Sequence, residues 1–506
     1  MSHHTDNGED TKNAENTVVT ANGAVRGFRH DGTTAFLNIP YAAAPLGIGR
    51  FQAPQPHAPW LGVRDATNPG PNAPQSERKL GNVDMSAYFG PGWVRGEDYL
   101  TVNVWTPDTE GERLPVMVFV HGGGFVAGST RSELYDGTGF ARDGIVLVTL
   151  NYRLGIPGFL DLPGAPANRG LLDVMAALRW VQENIANFGG DPSNVTLFGQ
   201  SAGATIVGAV LADQEAEGLF RRAIVQSGSG WGAFTPEQAA RVTRAAAEAL
   251  GVEPSVEAFA DIPDEDLVDI MPKLSGIDLQ TETAGDPLIG LSPFSVVLDQ
   301  QPAEAVAAGR GGAVDLLVGI NAEEGNLYLA PFGNFSTSTE ADVDAAAVRS
   351  HRDPVRLVET YRKARPQASF GELRSAIMGD ALFGAGSWRL ADAHAEHDAS
   401  GTYSYLFEWR SNSLEGELGA THAMELPFVF DNIGLPQLQG HKALLGPDDP
   451  PAELAARVHA AWVAFARTGN PGWDQYDTAR RATLRIDDGV WAVEEDPRSE
   501  ERKAWH

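Results

Sequence analysis

The sequence contains no cysteine, which removes disulfides, thiolate nucleophiles and thiolate metal sites from consideration. Positive charge is scarce: 38 Lys and Arg stand against 67 Asp and Glu, a formal charge of −29. Nucleic acid and anionic membrane surfaces repel such a chain, so neither is expected as a partner. The acidity itself reads as solubility or adaptation to salt. No run of about 18 apolar residues is available to span a membrane. The N-terminal stretch "MSHHTDNGEDTKNAENT" lacks the apolar core of a secretory signal. A cytoplasmic location and a disordered acidic tail over residues 1–16 are the expectations.

What is present is an ordinary globular composition, 42% hydrophobic and 21% charged over 506 residues, long enough to bury a large core. "TVVTANGAVRGFRHDGTTAFLNIP" alternates short β-rich runs with Asn-Gly and Asp-Gly turns, which predicts antiparallel hairpins. From about residue 114 the pattern changes. "LPVMVFVHGGG" and "GIVLVTLNYRLG" are nearly continuous apolar runs, as strands buried on both faces require. Leu171, Met175, Leu178, Val181, Ile185 and Phe188 recur at helical spacing and predict an amphipathic helix ended by Gly189-Gly190. "NVTLFG", a helix from about Ser201 and "RAIVQSG" continue the alternation. The prediction is an α/β fold: a central, mostly parallel sheet with helices on both faces. Residues 17–506 are expected to form one domain, with helical insertions near 235–275 and 340–398 walling a pocket. A helix near 451–467 and two strands in "ATLRIDDGVWAVEE" close the chain.

Gly199-Gln200-Ser201-Ala202-Gly203 matches G-x-S-x-G. It stands where a buried strand gives way to a helix, the setting of a nucleophile elbow. Small neighbours let the chain turn sharply enough to present the hydroxyl. A serine needs a base to remove its proton. Among the histidines, His422 in "GATHAMELPFVFDN" follows a strand and stands in a late loop among small residues, as such a base requires. His121 reads as a turn residue, and His394 and His397 as a solvated helix face. A carboxylate between serine and histidine in sequence should orient the imidazole. "DLLVGINAEEG" offers Glu323 and Glu324 at a strand end, and the residues themselves do not choose between them. Gly122, Gly123 and Gly124 follow another buried strand. The N–H groups of Gly123, Gly124 and Ala202 would form a three-donor oxyanion hole. Gly122-x-Gly124-x-x-Ala127 also fits a dinucleotide fingerprint. That reading fails, because the segment after it is turn-rich and the next strand ends in Leu150-Asn151 with no acid.

These blocks, with "IPYAAAPLGIGRF", "EDYLTVNVWTP", "NRGLLDVMAALRWVQENIANFGGDPSNVTLFGQSAGA" and "THAMELPFVF", resemble the type-B carboxylesterases, over about Val18 to Gly469. The resemblance implies an α/β-hydrolase fold, Ser201 as nucleophile, His422 as general base and Glu324 as acid. It further implies Gly123, Gly124 and Ala202 as oxyanion donors, Ser227 beside the acid and base, and a salt bridge between Arg50 and Glu97. It implies a small-molecule ester as substrate, with no cofactor and no metal. Gln200 departs from the Gly-Glu-Ser common in the family and removes a charge beside the nucleophile. Tyr99 stands where many eukaryotic members carry a disulfide cysteine. No tryptophan matches the choline site, where Phe89 lies nearest, so choline esters are not expected. A pocket of Phe125, Trp231 and Phe332 would favour apolar or aromatic esters. An aryl carbamate or amide hydrolase with the same triad is the alternative, and a non-catalytic binding protein on the same scaffold the remote one. Oligomeric state is not legible.

Overall fold

Successive residues of the buried apolar runs face two different cores. In the computed structural model, which describes residues 16–505, Val116, Val118 and Val120 pack into one cluster and Met117 and Phe119 into another. This is what the twofold alternation of a strand dictates when both faces are covered. Fourteen strands form among the described residues: β1 (Thr17–Thr20), β2 (Gly23–Arg26), β3 (Phe28–His30), β4 (Thr33–Pro40), β5 (Val63–Asp65), β6 (Thr101–Thr106), β7 (Leu114–Val120), β8 (Val146–Leu150), β9 (Gly190–Gln200), β10 (Arg222–Gln226), β11 (Asp315–Asn321), β12 (Thr402–Phe407), β13 (Ala482–Asp487) and β14 (Val490–Glu495). Strands β1, β2 and β5 make a small sheet. The other eleven form one sheet in the order β14-β13-β12-β11-β10-β9-β7-β8-β6-β4-β3.

From β13 to β8 every neighbouring pair is parallel. Antiparallel pairs occupy the flanks; of the expected hairpins, one turns there at Asp31-Gly32 and the other at Ala21-Asn22 in the small sheet. Helices Arg169–Asn184 and Ala202–Leu211 bury Leu178, Val181, Ile206 and Val210 on one face. Helices Thr138–Arg142 and Ala452–Thr468 bury Phe140, Val458, Trp462 and Phe465 on the other. Each such side chain contributes about 1.5–3 kcal/mol by leaving water. This is the α/β-hydrolase arrangement expected above.

Both helical stretches are present, with helices Pro236–Leu250, Val256–Ala260 and Asp264–Asp269 in the first. The second holds Glu340–Ser350, Pro354–Ala364, Phe370–Gly379 and Ala385–His394. Residues 1–15, and with them nearly all of the expected tail, lie outside the described residues. Asn16 is already tied to the small sheet, its carbonyl accepting the Gly27 N–H at 2.9 Å. Among the described residues no helix is long and apolar enough to cross a membrane.

Candidate active site

Ser201 sits directly after β9 and opens helix Ala202–Leu211, with φ 59° and ψ −127°. A non-glycine residue held there stores about 1–3 kcal/mol of strain. The turn survives because its surroundings leave no room for larger residues. A Cβ on Gly199 would lie 2.8 Å from the Gly203 carbonyl carbon, and one on Gly203 would lie 2.1 Å from the Val120 carbonyl oxygen. The Ser201 N–H is held by the Gln226 carbonyl at 2.9 Å, and the Ser201 carbonyl accepts the Thr205 N–H at 2.9 Å.

The sheet register does the rest. Gln200 pairs with Gln226, and Gln226 with Gly319, so Ser201, Ser227 and the turn after Asn321 emerge side by side at the carboxyl ends of β9, β10 and β11. In that turn Glu324 is buried. Its Oε1 accepts the Asn321 N–H at 2.7 Å and the Ser227 hydroxyl at 2.5 Å, and its Oε2 meets His422 Nδ1 at 2.6 Å. Glu323 points elsewhere. It pairs with Arg410 and its Oε2 accepts the Ala420 N–H at 2.8 Å, clamping the loop that carries His422. The structure thus separates two acids that the residues alone left equivalent.

With its Nδ1 proton donated to Glu324, His422 presents Nε2 as an acceptor. The Gln200 carboxamide donates to it at 3.2 Å, while Gln200 Oε1 accepts the Tyr88 hydroxyl at 2.5 Å. The imidazole is stacked on Phe383, ring centroids 4.2 Å apart and 11° from parallel. Phe383 belongs to the wide helical turn Asp380–Gly384, and nothing in its local sequence marks it. Below the histidine, Glu425 is fully buried and bonded by Gln226 and Asn321; burial raises its carboxyl to about 7, with the neighbouring Glu324 adding to the shift. Its place three residues after His422 on a short helical turn is the one signal that could have found it.

Gly123 and Gly124 adopt φ 117° and 65°, backbone that only glycine takes without strain. With Ser201, Ala202, Phe125 and His422 they line a single cleft. Leu80, Met85, Phe89, Leu327, Tyr328 and Leu382 complete an apolar wall, which one cation, Arg78, interrupts. Among the described residues, no protein acceptor takes the N–H of Gly123, Gly124 or Ala202. His121 is not a simple turn residue: it is buried and stacked on Tyr152, and burial lowers its imidazole to about 4.

Other expectations are corrected. Phe125 lies in the cleft, buried edge-to-face against Phe159. Trp231 does not: Arg389 caps its ring at 4.2 Å, and it lines a separate cleft with Arg349 and Trp505. Phe332 also lies outside, half-exposed at the end of the turn Ala330–Phe332. Of the helical stretches only the second reaches the site, through Leu382 and Phe383; the first lines an adjoining cleft through Leu267 and Met271. Arg50 does not pair with Glu97, which is exposed. The buried guanidinium instead pairs with Asp264 and donates to the carbonyls of Phe259, Ala260 and Ile262, the end of a helical turn that needs donors. His394 is no solvated residue either; it is buried between Thr402 Oγ1 and the Val314 carbonyl.

Comparison with known proteins agrees with this geometry. The sequence model of the carboxylesterase family matches residues 14–505. The chain is 37% identical to a para-nitrobenzyl esterase of Bacillus subtilis (strain 168), over 96% of this chain and 97% of that one. It is 34% identical to a phenmedipham hydrolase of Pseudarthrobacter oxydans, over 93% of each. A Geobacillus stearothermophilus carboxylesterase structure superposes with a TM-score of 0.84 at 35% identity, covering 97% of this chain and all of that one.

Proposed function

The chain belongs to the carboxylesterase family and is a carboxylic ester hydrolase, and from that premise we propose that Ser201 is its nucleophile, His422 its general base and Glu324 the acid that steadies the base. The observation that carries the assignment is the continuous bonding from Ser227 through Glu324 to His422, with His422 and Ser201 lining one cleft. Ser201 Oγ attacks the ester carbonyl while His422 Nε2 takes its proton, which requires Gln200 to yield that nitrogen. The carbonyl oxygen becomes negative and is received by the N–H groups of Gly123, Gly124 and Ala202. His422 then protonates the departing alcohol. Water repeats the sequence on the acyl-enzyme and regenerates the serine.

The apolar wall fits the acyl or alcohol group of small to medium uncharged esters, aromatic ones included. A second reading, hydrolysis of aryl carbamates or amides at the same triad, draws support from the similarity to a phenmedipham hydrolase. The test is labelling with a fluorophosphonate followed by peptide mass spectrometry. Modification is expected at Ser201 and is lost in Ser201→Ala; an unlabelled Ser201 in the parent defeats the assignment. A panel of aliphatic esters, aryl esters and aryl carbamates then separates the two readings by kcat/KM.

A further inference from the structure

Three successive peptide planes after His121 have their carbonyl oxygens held by three different side chains. His121 Nδ1 donates to the Gly122 carbonyl, Arg78 Nη1 to the Gly123 carbonyl and the Ser292 hydroxyl to the Gly124 carbonyl, each at 2.8 Å. A peptide is a rigid plane, so holding its carbonyl fixes the N–H at its other end. The first two planes carry the N–H groups of Gly123 and Gly124, which face the cleft as oxyanion donors in the reading above. We propose that Arg78 is a positioning residue of the oxyanion hole, aiming the Gly124 N–H and lending its peptide positive charge. The inference rests on the assignment of Ser201 and the three amides.

Arg78 differs from its two companions in being charged. The Ser292 hydroxyl is neutral, and burial keeps His121 neutral at ordinary pH. The guanidinium lies beside Gly124, where an added Cβ would fall 2.9 Å from Nη1, and over the Phe89 ring at 5.5 Å. No carboxylate pairs with it among the described residues; the adjacent Glu77 is taken by Lys79 at 3.2 Å. Arg78 is half-buried between two clefts; a cation partly withdrawn from water without a counter-ion is costly, and that burial weakens its hold on the proton. The cost has a use if the missing anion is the one the reaction creates. A permanent carboxylate at this place would cancel the field; its absence leaves the charge for the tetrahedral oxyanion, relayed through a hydrogen-bonded peptide that polarises toward it. The sequence resemblance assigned no role to this arginine, and no local pattern marks it.

Arg78→Met and Arg78→Lys test the proposal against the parent on one uncharged aryl ester, with rates normalised to active sites by burst titration. In Arg78→Met kcat is expected to fall about ten- to a hundredfold, less than loss of a whole oxyanion donor, with KM steady within about threefold. A trifluoromethyl ketone, which forms a tetrahedral adduct on the nucleophile, should weaken by the same factor, while the product alcohol binds unchanged. Lysine keeps the charge without the planar fork and should recover part of the loss; if the Met variant does not fold, the Lys variant carries the measurement, with a smaller fall in kcat and ketone affinity expected. Values of both within about twofold of the parent in the folded variant overturn the proposal. A rise in KM confined to esters that bear a carboxylate, with kcat intact, overturns it in favour of substrate-anion binding. Fluorophosphonate labelling of the parent keeps the levels apart: an unlabelled Ser201 sinks the nucleophile, whereas a labelled one with an indifferent Arg78→Met sinks this inference alone.

Discussion

The Gln200 carboxamide donates to Nε2 of His422 at 3.2 Å, on the nitrogen proposed to receive the serine proton. Among the described residues no hydrogen bond joins that nitrogen to the Ser201 hydroxyl, so the proposed base rests on Gln200, the neighbour of the proposed nucleophile. Gln200 itself is steered by Tyr88, which occupies its carbonyl oxygen and turns its amide toward the imidazole.

Gln200→Glu replaces that donor with a carboxylate while keeping the oxygen that Tyr88 needs. A carboxylate against Nε2 favours the protonated imidazole. The acid limb of the kcat/KM profile should move up by about one pH unit, lowering activity most below neutrality. A limb that stays in place would show that Gln200 does not touch the working base.

Ser227→Ala removes the hydroxyl bonded to Glu324 at 2.5 Å. A buried hydrogen bond to a charged group contributes about 1.5–3 kcal/mol. Expressed fully in the transition state, its loss lowers kcat about ten- to a hundredfold with little change in KM. Steady-state kinetics on the aryl ester checks this.

Gly203→Ala and Gly208→Ala make an opposed pair within one helix. The first places a methyl 2.1 Å from the Val120 carbonyl oxygen, whereas the second meets nothing nearer than Leu390 at 3.9 Å. The first should lose about 3 kcal/mol or more, or fail to fold; the second should gain up to about 1 kcal/mol from helix propensity. Denaturant melts of both variants give the comparison.

Glu425 retains its proton in the folded state up to about 7, whereas in the unfolded chain it releases it near the ordinary carboxylate value. Its contribution to stability is therefore complete at pH values below the ordinary range and is lost as pH rises through about 7, on the order of 3 kcal/mol. Glu425→Gln should abolish that slope and gain on the parent most at pH 8. The buried Asn321 Oδ1, which has no partner, can turn to accept the new amide. Equal pH dependence in parent and variant would mean that another group sets the slope.

The strands, the elbow and the loop histidine were legible because each has a local cause: period-two burial, a sterically enforced run of small residues, a turn after a strand. Choosing Glu324 over Glu323 needed either the family resemblance or the fold, since one residue of rotation in a helical turn decides which acid faces His422. The errors share a different cause. Trp231 and Arg50 are long side chains whose partners, Arg389 and Asp264, lie far away in sequence, and Phe332 is turned out to half-exposure by the loop that carries it. Phe383, Tyr88 and Arg78 went unseen for the same reason: their roles exist only where separate loops meet, and no spacing within any one segment records the meeting.

The order of β9, β10, β11 and β12 along the chain also sets a timetable. A ribosome that has reached residue 400 has already emitted Ser201, the glycine amides and Glu324, yet the emerging polypeptide still lacks His422, the proposed base. Residue 422 follows, and the loop bearing it is seated by Phe428 against Phe407 and Trp409 and roofed by helix Ala452–Thr468. A product that stops before residue 422 is therefore expected to carry the proposed nucleophile without its proposed base.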